Sequence, residues 1–376
     1  MLHKCKGEMK AMINLKFRTI LYDVNLTFCF KLIYLKYHSQ VVLNEEEQCE
    51  KEFSLKIYEG FQGMLSKKET NSTQVPVVRL KCLFTLQLDF IPCCLTNCVL
   101  INSFEKNENI LILSGTDDLV HGYRKYSSSE VLQEIEDDEM ISLFPEFSNT
   151  TASAALSISF EHHKSNGAVQ RWSAVGCQDG QLHVFLVDPL KREVLMKVED
   201  QEYCGLGGIH HIKFFTCDGL DGCDLKKLNL LVTPSLERSA IYLDIANEKS
   251  QLHLERETQR LESSSGFDAV NACTILDIDN NGIPEIILGT YGQELLIYKY
   301  FHGTDDNATT SSTNPHSNYW KLWTRRSFQN PILAVNGWIV HSSKSTSDND
   351  SNKSILAITT IKSIHFLQFQ GENKVS

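Results

Sequence analysis

The sequence predicts an all-β protein, a β-propeller of about six to seven blades. Three observations carry this expectation. A unit of apolar strand, polar or glycine-containing turn and second apolar strand recurs along the chain. Amphipathic helical periodicity is scarce. An acidic turn beginning at Asp277 runs directly into one of the recurring strands, Glu285-Ile286-Ile287-Leu288-Gly289-Thr290.

The first strands are Phe53–Tyr58 and Cys82–Phe90. Paired units follow at Ile110–Tyr123, Trp172–Val187, Asn229–Leu243, Ile286–Tyr300 and Ile355–Phe369, so roughly six units are expected. Their starts lie about 60 residues apart, somewhat above the ~40–50 of common propeller repeats, and the extra length falls in loops. Within a unit, apolar residues alternate with others, as Leu182, Val184 and Leu186 do, which suits half-buried strands. One such hairpin cannot bury its own face, whereas radial stacking gives each unit a neighbour on either side. The best helical candidates are Lys191–Glu199 and Leu252–Leu261. Residues 303–318 and 342–354 almost lack apolar side chains and are expected to be flexible loops. The acidic run Glu45–Glu52 reads as a solvated loop.

At 376 residues the chain exceeds the usual ~100–200 of one domain, yet a propeller holds that length as one unit. A net charge of −11 argues against a broad phosphate-binding surface, so no nucleic-acid partner is expected. The apolar run Ile20–Leu35 is broken by Asp23, Asn25 and Lys31, so no transmembrane segment is expected, and the first twenty residues lack the apolar core of a secretory signal. Twelve cysteines without a C-x-x-C pattern fit reduced cytosolic thiols, and the spacing of Cys93, Cys94 and Cys98 fits no common zinc finger.

The acidic turn reads D-x-D-x-N-G-x-x-E. It places Asp277, Asp279, Asn281 and Glu285 at positions one, three, five and nine, with Gly282 at the sharp turn and the Ile283 carbonyl after it. Five oxygens around a glycine suit a hard cation such as calcium. Position twelve is Leu288 rather than a bidentate Glu, and the flanks are strands rather than helices. A calcium-loop-like turn feeding a strand resembles the FG-GAP repeat of propeller blades. The other reading is that the carboxylates accept backbone N–H groups of a tight turn. One intact loop, in a compartment poor in free calcium, favours this structural role, and no other cofactor is expected.

The pairs His162-His163 and His210-His211 have no motif-spaced third ligand. No nucleophile elbow, zincin, phosphate-loop or dinucleotide fingerprint occurs, so no catalytic residue is assigned and the chain is read as a non-enzyme. The Leu143–Thr151 segment (LFPEFSNTT) and the Trp172 strand either pack between blades or bind partners.

Several of these segments together resemble the kaptin family. They are Leu111–Tyr123, Leu143–Thr151, Trp172–Leu195, Asp277–Tyr300 and Trp323–Ala334, in that order and spread over about Phe53 to Phe369. The resemblance implies a propeller of seven blades over residues 41–376. Residues 1–40 do not resemble the family's opening and form an atypical N-terminal segment, so the propeller is expected to be incomplete at the N-terminus. It further implies a scaffold subunit of the KICSTOR complex, beside a second propeller subunit and a large scaffold subunit. That complex lies at the cytoplasmic face of the lysosomal membrane. It recruits the GTPase-activating complex of the Rag GTPases and restrains target-of-rapamycin signalling when amino acids are low. The family's alternative role is binding actin filaments at cell edges, which the acidic balance disfavours.

Overall fold

Every sheet is laid down strand by strand, each strand antiparallel to the one before it. The structure, a computed structural model, describes residues 21–22, 29–38, 52–64, 76–101, 108–125, 132–148, 153–165, 168–200, 207–217, 227–246, 258–301, 319–340 and 353–370. The first sheet holds β1 (Leu21–Tyr22), β2 (Cys29–His38), β3 (Glu52–Met64) and β4 (Pro76–Leu88). The second holds β5 (Pro92–Leu100), β6 (Glu108–Gly115), β7 (Val120–Lys125) and β8 (Leu132–Glu134). A short helix α1 (Asp137–Leu143) and a 3-10 turn (Pro145–Phe147) lead to β9 (Ala155–Ser165), β10 (Ala168–Cys177), β11 (Leu182–Asp188) and β12 (Glu193–Asp200). The next sheet is β13 (Ile209–Cys217), β14 (Lys227–Pro234), β15 (Ala240–Tyr242) and β16 (Thr258–Arg260). It is followed by β17 (Val270–Leu276), β18 (Glu285–Thr290), β19 (Glu294–Phe301) and β20 (Tyr319–Ser327). The last sheet has three strands, β21 (Ile332–Val340), β22 (Lys353–Thr360) and β23 (Ile364–Gln370).

One central cavity is lined by the first strands of five sheets, β5, β9, β13, β17 and β21. These five sheets are the blades of a propeller. The expectation of six to seven blades is therefore corrected to five. The strands Phe53–Tyr58 and Cys82–Phe90 fall in β3 and β4, which pair with each other. That first sheet packs against blade one, through Leu55 and Leu88 on Leu95, Leu111 and Leu113, and none of its described side chains lines the cavity. Sequence patterning reports a strand pair with an apolar face but not the distance of that face from the axis.

Four of the five blades share one hydrogen-bond signature. The first residue after the second strand donates its N–H to the carbonyl just before the first strand. The pairs are Thr116 to Ile91 at 3.0 Å, Gln178 to Ala154 at 2.9 Å, Ser235 to Gly208 at 3.0 Å and Tyr291 to Ala269 at 2.8 Å. Between blades the cores are apolar. Val232 and Ile209 meet Leu182 and Val184, and Ile332 and Ile358 meet Ile287 and Ile297. Gly176 and Gly289 permit close approaches, because a Cβ on either would lie 2.5 Å from an isoleucine of the next blade, Ile209 or Ile332.

Three local expectations change, and of Leu252–Leu261 the described residues largely form strand β16 rather than a helix. Lys191–Glu199 is not helical but largely the outer strand β12, whose exposed and half-buried residues alternate. Its period of two is a strand signature. The flexible-loop expectation falls outside the described residues except at Lys353 and Ser354, which open β22. There the Ser354 hydroxyl, fully buried, donates to the Asp277 carbonyl at 3.1 Å.

The LFPEF segment packs rather than facing outward. Phe144, Glu146 and Phe147 are buried between blades one and two, and Trp172 is buried as well. Glu146 accepts from Arg171 Nη2 at 2.8 Å and from the Ser173 hydroxyl at 2.7 Å. Arg171 also donates to the Leu143 carbonyl at 3.1 Å and lies over the Phe144 ring at 4.6 Å. Both charged side chains are 0% exposed. Removing one partner leaves a buried charge alone, so Glu146→Ala is expected to lower the unfolding free energy by about 3–5 kcal/mol in urea denaturation. The double change Glu146→Leu with Arg171→Met is expected to recover most of that loss. A single-variant loss below about 1 kcal/mol would show that the pair is solvated.

Candidate functional site

The acidic turn joins β17 to β18 in blade four. Gly282 takes φ of 93°, a conformation that favours glycine, and Asn280 takes φ of 58°. The fold brings Asp277, Asp279 and Glu285 together, with oxygens all within 4.8 Å of one another. They are the one such convergence of acidic, histidine or cysteine side chains among the described residues.

Their oxygens are turned inward. Asp277 accepts the N–H of Asn281 at 3.1 Å and of Gly282 at 2.8 Å. Asp279 accepts the Asn281 N–H and side-chain amide, both at 3.1 Å. The Asn281 side-chain oxygen accepts from Ile283 N–H at 2.7 Å, and Glu285 accepts from Ile278 N–H at 2.8 Å. Lys299, one strand over on β19, sets its ammonium 2.5 Å from Asp279. The sequence reading missed this residue, which lies 20 positions downstream. Its only signal was one cation ending the apolar run Leu295–Tyr298.

Depth sets the protonation. Glu285 is 1% exposed, and burial pushes its pKa up from 4.5 to about 8, with Asp279 and Asp277 adding to the rise and the Ile278 N–H and Lys299 opposing it. Burial also raises Asp277 above the usual carboxylate range, against the pull of the two N–H donors. Near neutral pH the cluster thus holds a proton on Glu285 and an ammonium on Asp279. The carboxylates are thus engaged by the turn's own N–H groups and by Lys299, as in a self-bonded turn, while the same three converge as a cation site requires.

The second candidate is the central cavity, of about 360 Å³. Its polar lining includes Asn97, Ser157, Ser159, His211, Lys213, Asn271 and Asn336. Several of these hold blades together. Ser157 and Ser159 accept from the backbone N–H of Ile212 at 3.0 Å and Phe214 at 3.5 Å, and Asn271 donates to the Ile332 carbonyl at 3.2 Å. His211 lines the cavity, whereas His162 and His163 lie on β9 opposite Arg171 and Gln170. Burial and the Arg171 charge lower the His162 pKa. Cys93, Cys94 and Cys98 form no disulfide, and burial pushes Cys93 to about 11 and Cys98 to about 12. Both are protonated, inert groups at neutral pH. No helix among the described residues is long and apolar enough to cross a membrane.

Two predictions follow from the turn. Glu285 has a raised folded pKa, so between pH 4.5 and about 8 the unfolded chain releases a proton that the folded chain keeps. Stability then falls as pH rises through that window, by at most about 1.4 kcal/mol per unit. Glu285→Gln is expected to flatten the slope in urea unfolding measured from pH 5 to 8, and a variant-to-native difference independent of pH would refute the shift. Millimolar calcium is expected to leave the melting temperature unchanged; a rise of several degrees would show that the ion displaces the proton and the ammonium.

A family model described as KICSTOR complex protein kaptin matches residues 40–376. The KICSTOR complex protein kaptin of Mus musculus is 31% identical over 287 residues, which cover 75% of this chain and 59% of the mouse protein. The chain therefore spans about three-fifths of the length of that relative. Among solved structures, a chain from crystals of BBS1N in complex with ARL6DN is 13% identical, with a TM-score of 0.41 over 86% of this chain and 75% of that one. Saccharomyces cerevisiae Sqt1 is 9% identical, with a TM-score of 0.46 over 92% of this chain and 93% of its own. With the family's match running from residue 40 through all five blades, this chain belongs to the kaptin family of KICSTOR complex proteins.

Proposed function

We propose that this chain is a non-enzymatic scaffold subunit of a KICSTOR-like complex. The observation that carries the reading is family membership across residues 40–376. In this reading the propeller offers rigid blade faces and turn tips to a second propeller subunit and to a large scaffold subunit. The assembly recruits the Rag GTPase-activating complex to the lysosomal surface and restrains target-of-rapamycin signalling when amino acids are scarce. The blade construction supports a binding role. Inner-strand serines and asparagines stitch strand to strand, while apolar side chains stand exposed at the tips of the middle turns, as Leu119, Leu236, Tyr291 and Ile361 do. A rigid frame with variable turn tips is a common platform for binding. Actin binding gains no support from a chain of net charge −11.

The experiment is affinity purification of the tagged chain from its own cells, with mass spectrometry of the proteins retained. Recovery of the other KICSTOR subunits in near-stoichiometric amounts is expected. Their absence, or recovery of actin alone, would sink the proposal.

A further inference from the structure

The inner strands of the five blades share one irregularity. In each, a single residue near the start drops out of register with the second strand: Cys93, Leu156, His210, Asn271 and Leu333. Such a bulge re-aims the side chains beside it. It falls at the same place in every blade, so residues equally far past it stand level with one another around the cavity. Three residues on, every blade carries a polar side chain: Thr96, Ser159, Lys213, Thr274 and Asn336. All of these but Thr274 line the central cavity.

The charge of this ring runs against that of the chain. The sequence holds 47 acidic residues, yet the five inner strands hold one, Glu161, and it lies outside the cavity lining. Lys213 is the one lysine, arginine or carboxylate in that lining. It is half-buried, and among the described residues no carboxylate pairs with it. The side chains of Thr96 and Asn336, also half-buried, make no hydrogen bond among the described residues. Ser157 and Ser159 accept the N–H groups of Ile212 and Phe214, which leaves each hydroxyl its own proton to donate. A cation and several neutral donors around one space, with no acid to compete for them, is the chemistry of an anion site.

We propose that the central cavity binds a small organic carboxylate. The Lys213 ammonium meets the carboxylate, Thr96, Ser159 and Asn336 donate to its oxygens, and the carbon chain lies against Ile212 and Val335, which line the same space. Charge selects the class. One ammonium balances one negative charge, so a carboxylate is neutralised where a phosphate dianion is only half compensated. Volume agrees with it: about 360 Å³ lies at the lower end of the ~300–1,000 Å³ of ligand pockets. The inference is independent of the complex membership proposed above.

Saturation-transfer NMR on the full chain tests it, with butyrate as the probe, in Tris buffer at constant ionic strength. Butyrate is expected to bind with a millimolar Kd, and butyramide, its neutral counterpart of the same size, to bind at least about tenfold more weakly. Lys213→Met is expected to cost butyrate about the same factor. Lys197→Met, on the outer strand β12, is expected to leave its Kd unchanged. No saturation of butyrate by the native chain overturns the proposal, as does equal weakening by the two lysine variants, which would report net charge alone. If Lys213→Met does not fold, the native chain decides: equal affinity for butyrate and butyramide overturns the site. Inorganic phosphate that displaces butyrate at lower concentration than acetate does would assign the cavity to phosphates and overturn the carboxylate reading.

Discussion

Each blade has two apolar faces, and water is kept from both only when a neighbour covers each side. That constraint explains why the polar signals are so regular here. A fully buried isoleucine or leucine stabilises by about 1.5–3 kcal/mol relative to an exposed one, whereas a single hydrogen bond contributes about 0.5–1.5 net. The junctions hold several such residues each, among them Ile209, Val232, Ile287 and Ile358. The apolar contacts therefore supply most of the stability, and the hydrogen bonds fix where the faces meet. Tyr242 to Asp200 at 2.7 Å ties blade three to blade two, and Gln259 with Trp320 ties blade three to blade four at 2.6 and 3.0 Å. A slip of one residue at a junction would break these bonds and also drive Gly176 or Gly289 away from the isoleucine it admits.

The junction of blades one and two solves the same constraint differently. Here the chain leaves β8 through α1 and the LFPEF turn, and it wedges this turn into the gap. A turn brings backbone carbonyls with it, and a buried carbonyl without a donor costs about 1–3 kcal/mol. Arg171 meets that demand by donating to the Leu143 carbonyl, and Glu146 then neutralises Arg171. Ser173 occupies the second carboxylate oxygen. The ion pair is thus a consequence of burying irregular backbone. Pairs of this kind seldom add net stability over an apolar core, but they penalise any arrangement that separates the partners.

The strand pairs from Ile110 onward were legible in the sequence, because period-two alternation is a local property. The count of blades was not. The first sheet has the same local pattern as a blade, yet packs on blade one through Leu55 and Leu88, and none of its described side chains lines the cavity. Among site residues, Asp277, Asp279, Asn281 and Glu285 were found by spacing, and the fold does bring the three carboxylates together. Lys299 was missed because it arrives from a neighbouring strand, and spacing along one segment carries no information about strand partners. The Glu146–Arg171 pair was missed for the same reason, being 25 residues apart and joined only by the packing of two blades.

The acidic turn shows how depth alters what a motif means. Spacing assigns an oxygen to each position but is silent on how far from water the oxygen sits. Glu285 opens β18, the second strand of its blade, and every residue of that strand is buried. A carboxylate there receives one backbone N–H and little solvent, so it keeps its proton, and a proton is a monovalent, local solution to a charge problem. Asp279, nearer the surface, is balanced instead by Lys299, whose ammonium also lies 5.4 Å from the Trp323 ring centroid. With those charges settled, the turn's remaining capacity goes into position. Its N–H groups are gathered by Asp277, and the Asp277 carbonyl receives Ser354 of blade five. The residues that spell a cation loop in the sequence thereby anchor the last blade to the one before it.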